Sequence, residues 1–398
     1  MSTVSPKDLA STHLSVRVID RPGIAVAVAQ TDEVAWRTRR TWNRTESLES
    51  CLSIRGEAGG LSEDNRDALR ERAVSELVER LAVSCWPERT FQARPGDVDR
   101  FVELLTRIPG GPPMEEGVFG EEVSRVSHAE DWVIGLDLVE GTEIAVPASA
   151  VYLYGSSGLP SPFMSAASTI GCAAHVTDEA AIESALLECV ERDVLVRAWC
   201  GDLEFMRLDR TEEAGCASFC DGSFGELRTS FGVAESSGGI ATVVARVQSS
   251  CERLRNVVGS AASASVPQAA RHALAEALTT FWALATPAAR RPQTLRGAEE
   301  LAIGEWAWAF DALFQGERQY ISPVRREGPR LNGVLPVLGV VIAVPLTFEA
   351  GWAGGRRAWR VLTPSLAMPY YGKRVLCDLA SQGQTMIGYR LPFPHPFT

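Results

Sequence analysis

The chain has 398 residues and a formal charge of −11, with 45% hydrophobic and 22% charged residues. Such a composition is that of an ordinary globular protein long enough for a large core, in one elaborate domain or two. The acidic balance argues against nucleic-acid binding, which normally shows a basic patch, and no run of about eighteen apolar residues offers a membrane span. Met1 to Asp8 lacks a basic end joined to an apolar stretch, so no secretory signal is expected and the cytoplasm is the expected location.

Along the chain, strand-like pieces occur at Leu14 to Ile19 and Ile24 to Val28, followed by an arginine-rich stretch from Arg37 to Ser50. Gly56 to Gly60 reads as a loop leading into a helix over 66–82. Ile108-Pro109-Gly110-Gly111-Pro112-Pro113 is a breaker-rich linker. Strands are expected from Trp132 to Leu138 and Glu143 to Val146, with a turn at Gly141, then from Val151 to Tyr154. Gly155 to Pro162 forms a long loop before a helix over 181–199. Further strands are expected at Ile240 to Val247 and Asn256 to Gly259, then a helix over 266–281. Val337 to Val344 reads as a buried strand stopped by Pro345, and Trp359 to Leu362 as another. Pro392 to Pro396 should be polyproline II, stiff and free of internal hydrogen bonds. Strands and helices interleave without strict βαβ spacing, so the fold class is α+β.

The most informative string is Ser184-x-x-x-Glu188-x-x-Glu191-Arg192. A weaker copy is Glu76-x-x-Glu79-Arg80, with Arg72 in place of the serine. Residues three and four apart share a helix face, so each string stacks two carboxylates with an arginine nearby. The plainer reading is a solvated face with marginal ion pairs. On a helical wheel, however, Ile182, Ala185, Leu186, Cys189, Val190 and Val194 form an apolar back. Ser184, Glu188, Glu191 and Arg192 gather opposite, and Leu195 and Trp199 continue that front stripe. Only Asp193 falls on the apolar side.

The 66–82 helix likewise buries Leu69, Ala73, Val74, Leu77, Val78 and Leu81, and presents Glu76, Glu79 and Arg72. The third helix buries Ala270, Ala273, Leu274, Ala277, Leu278 and Phe281, and presents Glu276 with His272 and Thr279. Paired carboxylates on several helices suit magnesium, which takes hard oxygen ligands together with substrate phosphates. ATP use is therefore the first expectation, with the two acidic helices hinting at internal duplication. The nine cysteines contain no Cys-x-x-Cys, which argues against structural zinc. Cys172 with His175 is a weaker candidate for a nucleophile and its base.

These residues resemble the YcaO-domain family, ATP-dependent enzymes that modify backbone amides of ribosomally made peptides. The similarity rests on Thr169 to His175 leading into Ser184 to Asp193, on Trp132 to Leu138 running to Val146-Pro147-Ala148, on the helix with Glu276, and on the tail Pro392-x-Pro394-x-Pro396. The sequence departs from the family at Ile170 (an asparagine in the pattern), at Ala58-Gly59-Gly60 (Gly-Lys-Gly), at Arg72 (serine) and at Thr279 (glutamine).

The resemblance implies a divided chain, with residues 1–49 a strand-containing segment and 50–398 a YcaO-like domain. It implies Glu76, Glu79, Glu188 and Glu191 as magnesium ligands, and Ser184, Arg192, Arg80 and Glu276 as nucleotide contacts. ATP and Mg2+ would drive cyclodehydration of a precursor peptide to an azoline or a macrocyclic amidine. The alternatives are thioamide formation with external sulfide and, from another class, a non-catalytic peptide-binding scaffold. Expected partners are the ribosomally made precursor peptide, with or without a leader-binding protein, and a second copy in a homodimer.

Overall fold

A computed structural model describes residues 14–21, 23–31, 55–62, 64–84, 90–106, 131–153, 169–199, 203–208, 227–235, 239–249, 256–285, 335, 339–346, 353–363 and 366. The arginine-rich stretch, the 108–113 linker, the 155–162 loop and the proline-rich tail lie outside these residues. The fold is α+β.

Among the described residues there are three antiparallel sheets. The first joins β1 (Leu14–Arg21), β2 (Ile24–Thr31) and β3 (Arg55–Leu61). The second runs β4 (Phe91–Gln92), β5 (Asp131–Asp137), β12 (Ile342–Leu346), β13 (Arg357–Leu362) and β7 (Cys172–His175), with β6 (Thr142–Pro147) paired to β5. The third runs β11 (Asn256–Ser263), β10 (Ala241–Gln248), β9 (Arg228–Glu235) and β8 (Met206–Arg207). The helices are α1 (Arg66–Ser84), α2 (Pro95–Thr106), a single turn α3 (Ala148–Val151), α4 (Asp178–Trp199) and α5 (Val266–Ala285). The 49/50 division falls between β2 and β3, which pair throughout, so the first strands complete the sheet that leads into α1.

Each sheet ends, among the described residues, on a strand followed by a long helix: β3 then α1, β7 then α4, β11 then α5. Each helix packs on its own strand and on the end strand of the next sheet. Thus α1 meets β3 and β7, α4 meets β7 and β11, and α5 meets β11 and β3. The three units close a ring. The strand-helix arrangement of the two acidic helices recurs a third time among the described residues, with α5.

Close approach of strand to helix depends on missing side chains. A Cβ on Gly56 would lie 1.8 Å from the Ala73 carbonyl oxygen, and one on Gly259 would lie 2.3 Å from that of Ala273. This explains why Gly56 to Gly60, read as a loop, is a strand: its glycines are required by the helices above it.

The helix interiors follow the wheel reading. Leu69, Ala73, Leu77 and Val78 of α1 and Ala270, Ala273, Leu274 and Leu278 of α5 are fully buried. Each large aliphatic side chain removed from water contributes roughly 1.5–3 kcal/mol. Asn65 starts α1 by accepting from the Asp67 N–H at 2.8 Å, and Thr177 starts α4 by accepting from the Ala180 N–H at 3.3 Å.

Some expectations are corrected. Leu195 does not continue the acidic stripe; it packs with Val194, Ala198 and Phe205, because the helix crosses onto the third sheet there. Asp193 is buried and pairs with Arg197 at 3.7 Å. Val151 closes the turn α3 rather than opening a strand, and Leu153 instead donates its N–H to the Val83 carbonyl at 3.0 Å. Pro345 lies inside β12 opposite Trp359. On its other side β5 pairs only with Ile342 and Ala343, so no second ladder asks for the missing N–H.

Candidate metal-nucleotide site

In each unit a backbone N–H from the strand, or from the turn just before it, donates to the Oε2 atom of a helix glutamate. Glu57 N–H reaches Glu76 at 2.7 Å, Gly171 N–H reaches Glu188 at 3.1 Å, and Ser260 N–H reaches Glu276 at 2.8 Å. The three glutamates are equivalent positions of the ring. Three residues onward stand Glu79, Glu191 and Thr279, so the third unit lacks the second carboxylate. One turn before stand Arg72, Ser184 and His272.

The ring brings the second carboxylate of one helix toward the first of the next. Burial and the neighbouring charges of Glu188 and Glu76 hold the Glu79 carboxyl well above the usual range. Burial, then the charge of Glu191, lifts Glu188 to about 7 against the opposing effect of Arg192. Burial and Glu191 lift Glu276 to about 7 as well. Glu188 is nevertheless only half-buried and Glu276 is exposed, so water reaches both carboxylates.

Ser260 stitches the second junction. Its hydroxyl donates to Glu191 Oε1 at 2.6 Å while its N–H holds Glu276. Arg192, largely buried, stands 3.9 Å from Glu188 and 3.8 Å from Glu191. Glu76 differs from the others, since both of its oxygens are bonded: Oε1 accepts from Arg80 at 2.5 Å and Oε2 from the Glu57 N–H. Ser184 is exposed one turn before Glu188. All eight residues singled out in the sequence therefore lie on the three helices that form the ring.

The opposite end of α1 and α5 is cationic. Arg271 pairs with Asp64 at 2.7 Å, and Asp64 partly offsets the cost of burying Arg72. Burial, then Arg72, lowers the His272 pKa. Cys172 does not fit a nucleophile: it is buried, with its thiol pushed up by desolvation, and His175 points to the other face of β7 and is exposed.

Sequence reading missed three contributors. Ser260 is one small polar residue in a strand, and Gly171 contributes only its N–H. Arg360 is 1% exposed and donates Nη1 to the Val151 carbonyl at 2.9 Å; its charge opposes protonation of both Glu79 and Glu188. The available signals were a glycine before Ser260 and an arginine flanked by Trp359 and Val361 in a strand.

The donor set fits magnesium. It is all oxygen and anionic in excess. Among the described residues no group of three Asp, Glu, His or Cys side chains is placed to hold a metal ion by itself.

Three helices of the ring thus each carry a glutamate held by a backbone N–H. Residues 67–314 match the family described as YcaO cyclodehydratase, ATP- and Mg2+-binding, and the chain belongs to that family. No curated protein matches it. Among solved structures, a heterocyclase in complex with substrate and cofactor is similar at 16% identity and a TM-score of 0.67, covering 98% of this chain and 56% of that one. The chain thus spans just over half of that heterocyclase. YcaO from Methanopyrus kandleri, bound with AMPPCP and Mg2+, is similar at 20% identity and a TM-score of 0.57, covering 89% of this chain and 85% of that one. The E. coli microcin synthetase McbBCD complex is similar at 13% identity and a TM-score of 0.61, with 89% and 88% covered. At these identities the likeness is one of fold. Among the described residues no helix is long and apolar enough to cross a membrane.

Proposed function

We propose that the chain uses ATP and Mg2+ to activate a backbone amide of a ribosomally made precursor peptide by O-phosphorylation, leading to cyclodehydration. The carrying observation is the clustering of carboxylates from three helices, which are lifted toward neutrality by burial and by one another. Such crowding calls for a cation.

Glu79, Glu188 and Glu191 would hold magnesium directly or through water, with Glu276 at the edge of the same set. Glu76, bonded at both oxygens, would chiefly position Arg80. Arg192, and less directly Arg80, would meet phosphate oxygens, and Ser184 would bond nucleotide or metal-bound water. Magnesium, when bound, neutralises phosphate charge during transfer.

An amide oxygen is a poor leaving group. Attack of a nucleophile on the carbonyl carbon gives an oxyanion, which takes the γ-phosphoryl group and releases ADP. Departure of phosphate and a proton then leaves a C=N bond. A Cys, Ser or Thr side chain yields an azoline, and a backbone amine yields a macrocyclic amidine. Residues 50–398 would form the catalytic unit with β1 and β2 completing its first sheet. A leader-binding partner and a homodimer remain part of the proposal.

The test is magnesium-dependent ADP release with a short peptide containing Cys, Ser or Thr. Glu188→Gln should lower it about a hundredfold or more; unchanged turnover would refute the assignment. Mass spectrometry of the peptide reads the chemistry. Loss of one water marks azoline or amidine, which fragmentation separates, whereas exchange of oxygen for sulfur marks the thioamide.

A further inference from the structure

β13 runs beneath α1 with a matched spacing. Arg356, just before the strand, donates Nε to Ser75 Oγ at 3.0 Å and pairs with Glu71. Glu71, Ser75 and Glu79 follow one another along a single ridge of α1, four residues or about 6 Å apart. Arg356, Ala358 and Arg360 alternate along one face of the strand, two residues or about 6.6 Å apart. Four strand residues and eight helix residues cover similar lengths, so the backbone of Arg360 comes level with Glu79 as that of Arg356 does with Glu71.

The opposite strand face turns to α4, where Trp359 Nε1 donates to Asp178 at 2.7 Å and Arg357 pairs with the same carboxylate. Arg360 lies opposite Cys172 in the β13–β7 ladder. Gly171, the next residue, gives its N–H to Glu188 and its carbonyl oxygen to the Val361 N–H at 2.7 Å. Arg360 thus lies on the α1 side of the strand, across from the turn that holds Glu188, fixed by its bond to Val151 and with its charge acting on both Glu79 and Glu188.

We propose that Arg360 is a positioning residue, an internal counter-cation that holds Glu79 and Glu188 together before magnesium arrives from the solvent side. This inference rests on the metal reading of these carboxylates. Arginine suits the role because its fork can anchor one nitrogen on a carbonyl while the delocalised charge faces carboxylates.

The test uses the full chain and thermal unfolding with and without MgCl2. Arg360→Met should lower the melting temperature by about 5 °C or more without magnesium, and by clearly less at saturating Mg2+, because the added ion compensates the same repulsion. Arg360→Lys, which keeps the charge but not the fork, should lose less than Arg360→Met without magnesium. Adding Glu79→Gln to Arg360→Met should restore part of the magnesium-free loss. Equal losses with and without Mg2+, and additive losses in the double variant, would show an arginine that merely packs and would overturn the proposal. If Arg360→Met does not fold, Arg360→Gln with and without Glu79→Gln is read the same way. A wild-type protein with no magnesium-dependent shift would instead count against the metal reading, while the magnesium-free double-mutant comparison would still decide the role of Arg360.

Discussion

Glu188 on α4 lies close enough to Glu79 on α1 that its charge helps hold the Glu79 carboxyl well above the usual carboxylate range. The two residues come from helices that follow different sheets, and two crowded carboxylates repel each other unless a cation compensates them. Removing one charge should relieve the crowding. Glu79→Gln is expected to raise the melting temperature of the metal-free protein by about 2–4 °C while abolishing the stabilisation given by MgCl2. A lower metal-free melting temperature with the magnesium effect intact would separate Glu79 from the site.

The same crowding sets a pH dependence. Glu188 and Glu276 sit at about 7 in the folded protein, against 4.5 for the ordinary group. Between these values the native state keeps protons that the unfolded chain has released, so stability falls as pH rises through that window. Above the folded values the curve should flatten. Saturating Mg2+ should remove the decline, because bound cation favours the ionised form. Melting temperatures across this range, with and without Mg2+, check the sign; a metal-free protein that gains stability toward neutral pH would contradict it.

Much of this arrangement was legible beforehand. The apolar backs and acidic fronts of α1, α4 and α5 follow from 3.6-residue periodicity, a local property that tertiary packing here reinforces. What could not be read was how the helices meet. That depends on strand glycines such as Gly56 and Gly259, whose value lies in contacts with residues far along the chain. Gly56 to Gly60 looked like a loop for this reason. Ser260 and Arg360 escaped notice because a single serine or arginine in a strand has no periodic signature; each gains meaning only from the carboxylates brought to it.

Gly171 shows the precision of that packing. It has φ +76°, and a Cβ there would lie 2.4 Å from the Val361 carbonyl oxygen and 2.9 Å from Cys189 Sγ. Gly171→Ala combines backbone strain with overpacking and should cost about 3 kcal/mol. It should also weaken the magnesium effect by shifting the N–H that holds Glu188. Urea unfolding with and without Mg2+ measures both; a neutral substitution would mean that this turn does not set the position of Glu188.

Ser260 offers a milder perturbation. Ser260→Ala keeps the N–H bond to Glu276 and removes the hydroxyl bond to Glu191. A stability loss of about 2 kcal/mol is expected, typical of a hydrogen bond to a buried charged group. Magnesium should bind more weakly, since Glu191 is then free to turn. Calorimetric titration checks this, and affinity equal to wild type would place Glu191 outside the ligand set.

The most direct measurement is calorimetric binding of a non-hydrolysable ATP analogue to the full chain, with and without Mg2+, for wild type, Glu79→Gln and Glu188→Gln. Wild type should bind only with magnesium, and each folded variant should lose that binding. Magnesium-dependent binding that persists unchanged in both variants would show that carboxylates from α1 and α4 do not share one metal-nucleotide.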